Sequence, residues 1–365
     1  MNEQLGTIST LLIYGTISAY VVAMVGFAVD LSGFGKGADP GRARKAVGIA
    51  MSTSWLGLIF HVGAVVLRAI AAERVPWADM YEFTLMSTMF TMVVFMVVNR
   101  HKDVRYLGTL VLLINVVALL IAITLLYTVA DGVQPALQSY WLVIHVSVAS
   151  LATALFCVGA ALSVLQLVRG GDERRREAEH AQSGGSRRQP LGGRGVEGRS
   201  GAHGARTGSA SAGADGTRGA TLVAQEAQPT EGEVASMDLG GQEPQTLPAR
   251  PTFWSRLLDA FPAEETLERL SYRLNAVGLV GWTFVLITGS IWAEYAWGRA
   301  WGWDPKEVVS LMVWIIYAAY CHVRLTTGWS KKAFAYFSLA GFAALMFNYY
   351  GVNIFINSLH SYAGV

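Results

Sequence analysis

Eight long apolar runs dominate this chain, at 7–29, 46–67, 80–98, 106–130, 140–168, 274–293, 308–323 and 333–359, with Glu82 as the one Asp, Glu, Lys or Arg inside any of them. In lipid a backbone has no water to bond, so a run of this length satisfies its amides as a helix. The set predicts an all-α, polytopic integral membrane protein with about eight transmembrane helices. The run at 308–323 is short, but it reaches Leu325 if Arg324 snorkels to the interface. Alternate loops differ in Lys and Arg. One set holds ten (36, 42, 44, 45, 100, 102, 105, 324, 331, 332), and the other holds four (68, 74, 299, 306). By the positive-inside rule the first set is cytoplasmic. Both termini and the loop at 294–307 are then expected outside, in a multi-pass protein of the cell membrane.

The mean hydropathy of +0.38 averages two different materials. Residues 169–250 carry 22 of the 54 charged residues and no Phe, Trp or Tyr, and 17 of the 39 glycines lie between 170 and 241. Such a stretch cannot bury enough apolar surface to offset its ordering entropy, so it reads as a disordered cytoplasmic linker from 170 onward. The expected organisation is an N-terminal membrane domain at 1–168 with five spans, a linker at 169–252, and a C-terminal membrane domain at 253–365 with three spans. A short amphipathic helix in FWSRLLDAFPAEETLERL, from Phe253 to Tyr272, would open the last domain on the inner surface. A net charge of +2, with no basic stripe outside the linker, argues against nucleic acid as a partner. Cys157 and Cys321 sit in apolar runs without redox or zinc spacing and read as packing residues. The N-terminus has no basic residue before its first run, which reads as a retained span and not a signal peptide.

Four of the eleven tryptophans, Trp292, Trp297, Trp301 and Trp303, crowd into twelve residues of WAEYAWGRAWGWDPKE. An interfacial belt would spread them over many span ends. With Gly298 and Gly302 between them, they suit a platform for a large planar apolar ligand. The sequence Asp304-Pro305-Lys306-Glu307 carries a cap, a proline and a third-position acid, so Asp304 and Glu307 read as helix-start residues ahead of acid/base catalysts. Arg299 and Lys306, the basic residues of the loop, could meet the carboxylates of an anionic ligand; interfacial anchoring explains them equally well.

Histidine is costly within a membrane. His145 falls near the outer end of span five, one turn after Trp141, and His360 follows span eight. His322 is near the inner end of span seven, and His61 is near the middle of span two. Neutral imidazole is a good axial ligand for haem iron, and two at one depth could hold it from both faces. Packing remains the competing reading for His61, and a frayed tail for His360.

The string W-x4-W-x3-W-x-W-D-P-K-E at 292–307, with His145 before it, His322 in the next span and His360 after the last, resembles the CcsA/ResC group of cytochrome c maturation proteins, whose Trp-rich segment is called the WWD domain. Pro76, Tyr81 and Glu82 in VPWADMYEF are similar to that group's second outward segment. The resemblance implies that haem b is bound as a substrate, with His145 and His360 as axial ligands at the Trp loop and Asp304 within that motif. It implies His322 as an iron ligand within the membrane, and it leaves His61 without a counterpart. It also implies export or presentation of haem at the outer face, covalent attachment to apocytochrome c, and a CcsB/ResB-type membrane partner forming the synthase (haem lyase). A haem transporter without synthase activity is the alternative.

Overall fold

The computed structural model describes residues 3–33, 40–129, 137–186, 257–326 and 328–359. Residues 1–181 and 251–365 form one compact unit. Of the second unit, 182–250, the described part is the end of one helix. The described residues are helical with no strand. In chain order the helices are α1 (Glu3–Gly33), α2 (Pro40–Ala72), α3 (Met80–His101), α4 (Arg105–Leu125), α5 (Tyr140–Ser186), α6 (Glu264–Trp297), α7 (Pro305–Leu325), α8 (Lys331–Met346) and α9 (Val352–Phe355). A π turn, Phe347–Gly351, joins the last two without a break. Seven of these, α1 to α7, are long and apolar enough to cross a membrane. The eighth apolar run is helical, but the π turn divides it, and α8 alone has 16 residues.

Of the seven spans, α5 is the most enclosed and α7 the least. Lipid offers no hydrophobic reward for pairing helices, so close packing and interhelical hydrogen bonds hold the bundle. The α5–α6 seam shows both. The amide of Asn275 occupies the place a side chain on Gly159 would need. Ser271 donates to the Gly159 carbonyl at 2.9 Å, Ser163 meets Ser271 at 2.8 Å, and Asn275 reaches Ser338 of α8 at 2.9 Å. Nearby, Phe156 of α5 stacks on Tyr317 of α7 with centroids 3.7 Å apart.

Two expectations about the linker side change. Helix α5 runs on to Ser186, so residues 170–186 are helical and not disordered. Ion pairs explain the continuation: buried Asp172 lies 3.7 Å from Arg169, 3.0 Å from Arg175 and 2.8 Å from Arg176, and Arg176 also meets Asp259 at 2.8 Å. Of the expected amphipathic helix, residues 257–259 are helical, and the segment is broken at 260–263 before α6 begins. From Glu264 the chain runs straight into α6, because Glu264 and Glu268 are buried against Arg174 and Arg324 instead of facing water. Residues 253–256 and 187–250 lie outside the described residues.

At about 0.3–0.5 kcal/mol per helical ion pair, Asp172→Ala should loosen the end of α5 by about 1 kcal/mol. Hydrogen exchange of peptides covering 172–186 should rise several-fold, while heat unfolding in detergent stays near wild type.

Candidate functional site

Helix α6 stops at Trp297 because Gly298 adopts a left-handed φ of 69° and returns its N–H to the Glu294 carbonyl at 2.9 Å. Helix α7 starts with Asp304 as cap, Pro305 in the first turn and a complete capping box with Glu307. That agrees with the helix-start reading of the motif. One oxygen of Glu307 accepts the N–H of Gly302 at 2.8 Å and of Asp304 at 3.1 Å. Those two amides bracket Trp303, which takes a left-handed φ of 58° and is 72% exposed. A bulky residue in that region stores about 1–3 kcal/mol of strain. The Arg299 guanidinium folds over Gly302, where any side chain would collide with it.

The tryptophans do not form one flat surface. Trp292 is buried and meets Trp297 edge-on, with centroids 4.8 Å apart. Trp301 and Trp303 form a second, perpendicular pair at 5.8 Å. His145 joins the first pair, its ring nearly parallel to Trp292 at 17° and 6.2 Å. Nδ1 of His145 lies 3.0 Å from the Val285 carbonyl of α6. A carbonyl only accepts, so Nδ1 donates here, and in the neutral ring the lone pair then falls on Nε2, the tautomer that ligates metal. Gly289 makes the room: a Cβ there would stand 2.8 Å from Cε1 of His145.

These groups open onto a cavity of about 250 Å³ that runs from the loop down between α3, α4, α5, α6 and the π turn. His145, Trp292, Trp301, Lys306 and Glu307 line it at the loop end. Lower down, Thr84, Ser87, Thr88 and Thr91 make a hydroxyl stripe along α3, facing Asn115, Thr153, Cys157 and Asn348. Both polar atoms of the Asn115 amide, together with Ser87 Oγ, Thr153 Oγ1 and Asn348 Oδ1, are buried without a hydrogen-bond partner among the described residues. Lys306 Nζ donates to Asn353 at 2.6 Å. Beside the cavity, Glu82 accepts from Arg68 at 2.9 Å, from Arg74 at 2.7 Å and from the Ala78 amide at 2.9 Å. That cluster fixes the Trp77–Met80 wall. Asp79, the cap of α3, has its carboxyl raised above the usual range, first by burial and then by neighbouring Glu82.

Of the expected site residues, the structure brings His145, Trp292, Trp301 and Lys306 to one cavity. Trp297, Arg299, Trp303 and Asp304 are not part of its lining. His322 is exposed on α7 and not in the cavity. His61 is fully buried elsewhere, 3.3 Å from the Tyr20 hydroxyl, as a packing histidine would be. Cys157 is buried against the cavity, Cys321 is partly buried, and both are free thiols. His360 lies outside the described residues. Sequence reading missed the Val285 carbonyl, Gly289, Asn115 and the hydroxyl stripe. The i, i+3, i+4, i+7 spacing of Thr84, Ser87, Thr88 and Thr91 in an apolar run was the signal available for the last.

Residues 77–360 match the family described as Cytochrome C assembly protein. The chain is 30% identical over 320 residues to a cytochrome c biogenesis protein CcsA of Gloeobacter violaceus, covering 86% of each. To the CcsA protein of Nostoc punctiforme it is 32% identical over 321 residues, covering 81% of this chain and 82% of that one. Among solved structures, a chain titled cytochrome c heme lyase CcmF superposes with a TM-score of 0.54 at 12% identity. The match takes in 94% of this chain but 46% of the other, so this protein spans under half of that length and shares its fold. A family match over most of the chain, with CcsA relatives at this identity along their length, places the protein in the CcsA group of cytochrome c assembly proteins.

Proposed function

We propose that this protein serves cytochrome c maturation by binding haem b as a substrate and presenting it for covalent attachment to apocytochrome c. The observation that carries this reading is His145: its proton is fixed on Nδ1 by the Val285 carbonyl, and its ring is held against Trp292 at the wall of a deep cavity. That donor suits iron, and the apolar walls suit a porphyrin. His145 and His360 would supply the two axial imidazoles, with Trp292 and Trp301 offering ring faces. Lys306, at the cavity edge, would meet a propionate in preference to Arg299, which folds over its own loop. The attachment itself adds each cysteine S–H across a vinyl C=C, with no net oxidation and no nucleophile from this chain. The protein's part is positioning and exclusion of competing ligands.

In this reading the chain crosses the membrane eight times, with the Trp loop and both termini outside and the 187–250 segment in the cytoplasm. His322, exposed on the least enclosed helix, suits an iron site completed by a CcsB/ResB-type partner. Purification with that partner from haem-replete cells should yield a two-imidazole visible spectrum and support thioether formation on an added apocytochrome. A preparation free of haem, or one dispensable for attachment when haem is supplied outside, would refute the proposal. His322→Ala should lower haem occupancy while leaving the band positions of the remaining haem unchanged; full occupancy would remove His322 from the route.

A further inference from the structure

Along α3, Thr84, Thr88 and Thr91 each return their hydroxyl to a carbonyl of their own helix. Ser87 does not, and neither does Thr153 of α5; both hydroxyls are buried without a partner among the described residues. Asn115, midway along α4 and 1% exposed, leaves both its amide oxygen and its amide nitrogen unpaired. The π turn adds a fourth group: Asn348 donates its N–H to Ser310 Oγ at 2.9 Å and keeps an unpaired Oδ1. All four side chains line one cavity. Lipid supplies no hydrogen bonds, so stranded polar atoms converging from four elements call for a polar occupant.

The atoms define its chemistry. Asn115 Oδ1 and Asn348 Oδ1 only accept, Asn115 Nδ2 only donates, and the two hydroxyls do either. The charged and imidazole side chains of the lining stand elsewhere. Asp79 caps α3, Lys306 and Glu307 open α7, and His145 lies eight residues before Thr153 on α5, about 12 Å along its axis. An anion at Asn115 would lack a counter-charge and would face Oδ1. The group that fits is neutral and planar, with an acceptor and a donor on one carbon, as in a protonated carboxylic acid. Its C=O would take the Asn115 N–H while its O–H donates to Asn115 Oδ1.

We propose that Asn115, Ser87, Thr153 and Asn348 form a site for the un-ionised carboxylic acid of a membrane-soluble amphiphile. A tetrapyrrole propionic acid and a fatty acid share this chemistry. The first source rests on the haem reading above, with the ring lying below His145; the second does not.

Titration of the full chain in maltoside detergent with protoporphyrin IX, the iron-free ring, tests the site by the probe's fluorescence. The diamide of the probe keeps donor and acceptor without charge and should bind within about twofold of the acid. The dimethyl ester keeps only the acceptor and should bind about tenfold more weakly, the loss of one neutral hydrogen bond. Asn115→Leu should bring all three to one common, weaker affinity. Without ligand, this variant should unfold at no lower temperature than wild type, because it removes polar atoms that have no partner. Oleic acid, titrated by calorimetry and as a competitor, identifies the source: displacement of the porphyrin assigns the site to fatty acids, and failure to displace it assigns the site to the tetrapyrrole. Equal affinities of acid, diamide and ester for wild type, a diamide that binds far more weakly than the acid, binding of neither porphyrin nor oleic acid, or a marked loss of stability in ligand-free Asn115→Leu would each overturn the proposal. Because the probe carries no iron, a protein without a haem spectrum would sink the haem reading alone, and these titrations would still decide the site.

Discussion

If haem is held as proposed, Gly289→Val should abolish its binding nearly as completely as His145→Ala, although Gly289 carries no chemistry of its own. A Cβ at this position would stand 2.8 Å from Cε1 and 3.0 Å from Nδ1 of His145, and both neighbours are parts of packed helices. The ring must leave, and with it goes the bond to Val285 that sets its tautomer. Disturbing the group that orients a metal-ligating histidine costs about 10–100-fold in affinity, and displacing the ring itself should reach the upper end of that range. The structural cost of overfilling is only about 1–3 kcal/mol. Haem content measured by visible spectroscopy should therefore collapse while helical circular dichroism stays near wild type. Added imidazole should restore a low-spin spectrum to His145→Gly, where the space is open, and not to Gly289→Val. Wild-type haem content in Gly289→Val would show that His145 is not the ligand.

Glu82→Ala should produce the largest loss of stability. Arg68 is 2% exposed and Glu82 is fully buried, so the carboxylate neutralises a guanidinium that cannot reach water. After its removal Arg68 keeps the Thr128 carbonyl at 2.9 Å and the more distant Asp79 carboxylate at 3.7 Å. Breaking a buried pair from one side costs about 3–5 kcal/mol, most of it the penalty of the charge left behind. Heat unfolding in detergent should shift strongly downward for Glu82→Ala. The double change Arg68→Met with Glu82→Met should recover most of that loss, because Arg74 at the rim is partly exposed and can turn outward. If the double variant is as unstable as the single one, the cluster is not acting as a charge balance.

What could be read in advance follows from how local each cause is. The spans are written in uninterrupted apolar runs, and the start of α7 in four adjacent residues, Asp304 to Glu307, each with its own capping role. The continuation of α5 depends on Asp259 meeting Arg176 across 83 positions, a pairing invisible until the chain is folded. His145 was legible as a candidate because histidine is rare in lipid. Its tautomer was not, since a backbone carbonyl on another helix decides it. The four tryptophans suggested one platform by their density, but spacing along a chain does not fix ring planes. Two of them finish a helix and two belong to a strained loop, and so they pair separately.

The charge balance at Glu82 reaches beyond stability into the order in which the protein is made. The family match begins at residue 77, yet the partners of Glu82, Arg68 and Arg74, both lie before that point. A chain emerging N-terminus first delivers α2 to the bilayer ahead of α3. The cation is thus in place before the acid enters, and Glu82 need never meet lipid as a bare charge. A fragment trimmed to the family boundary would reverse that advantage and carry into the membrane a carboxylate whose two counter-ions had been cut away.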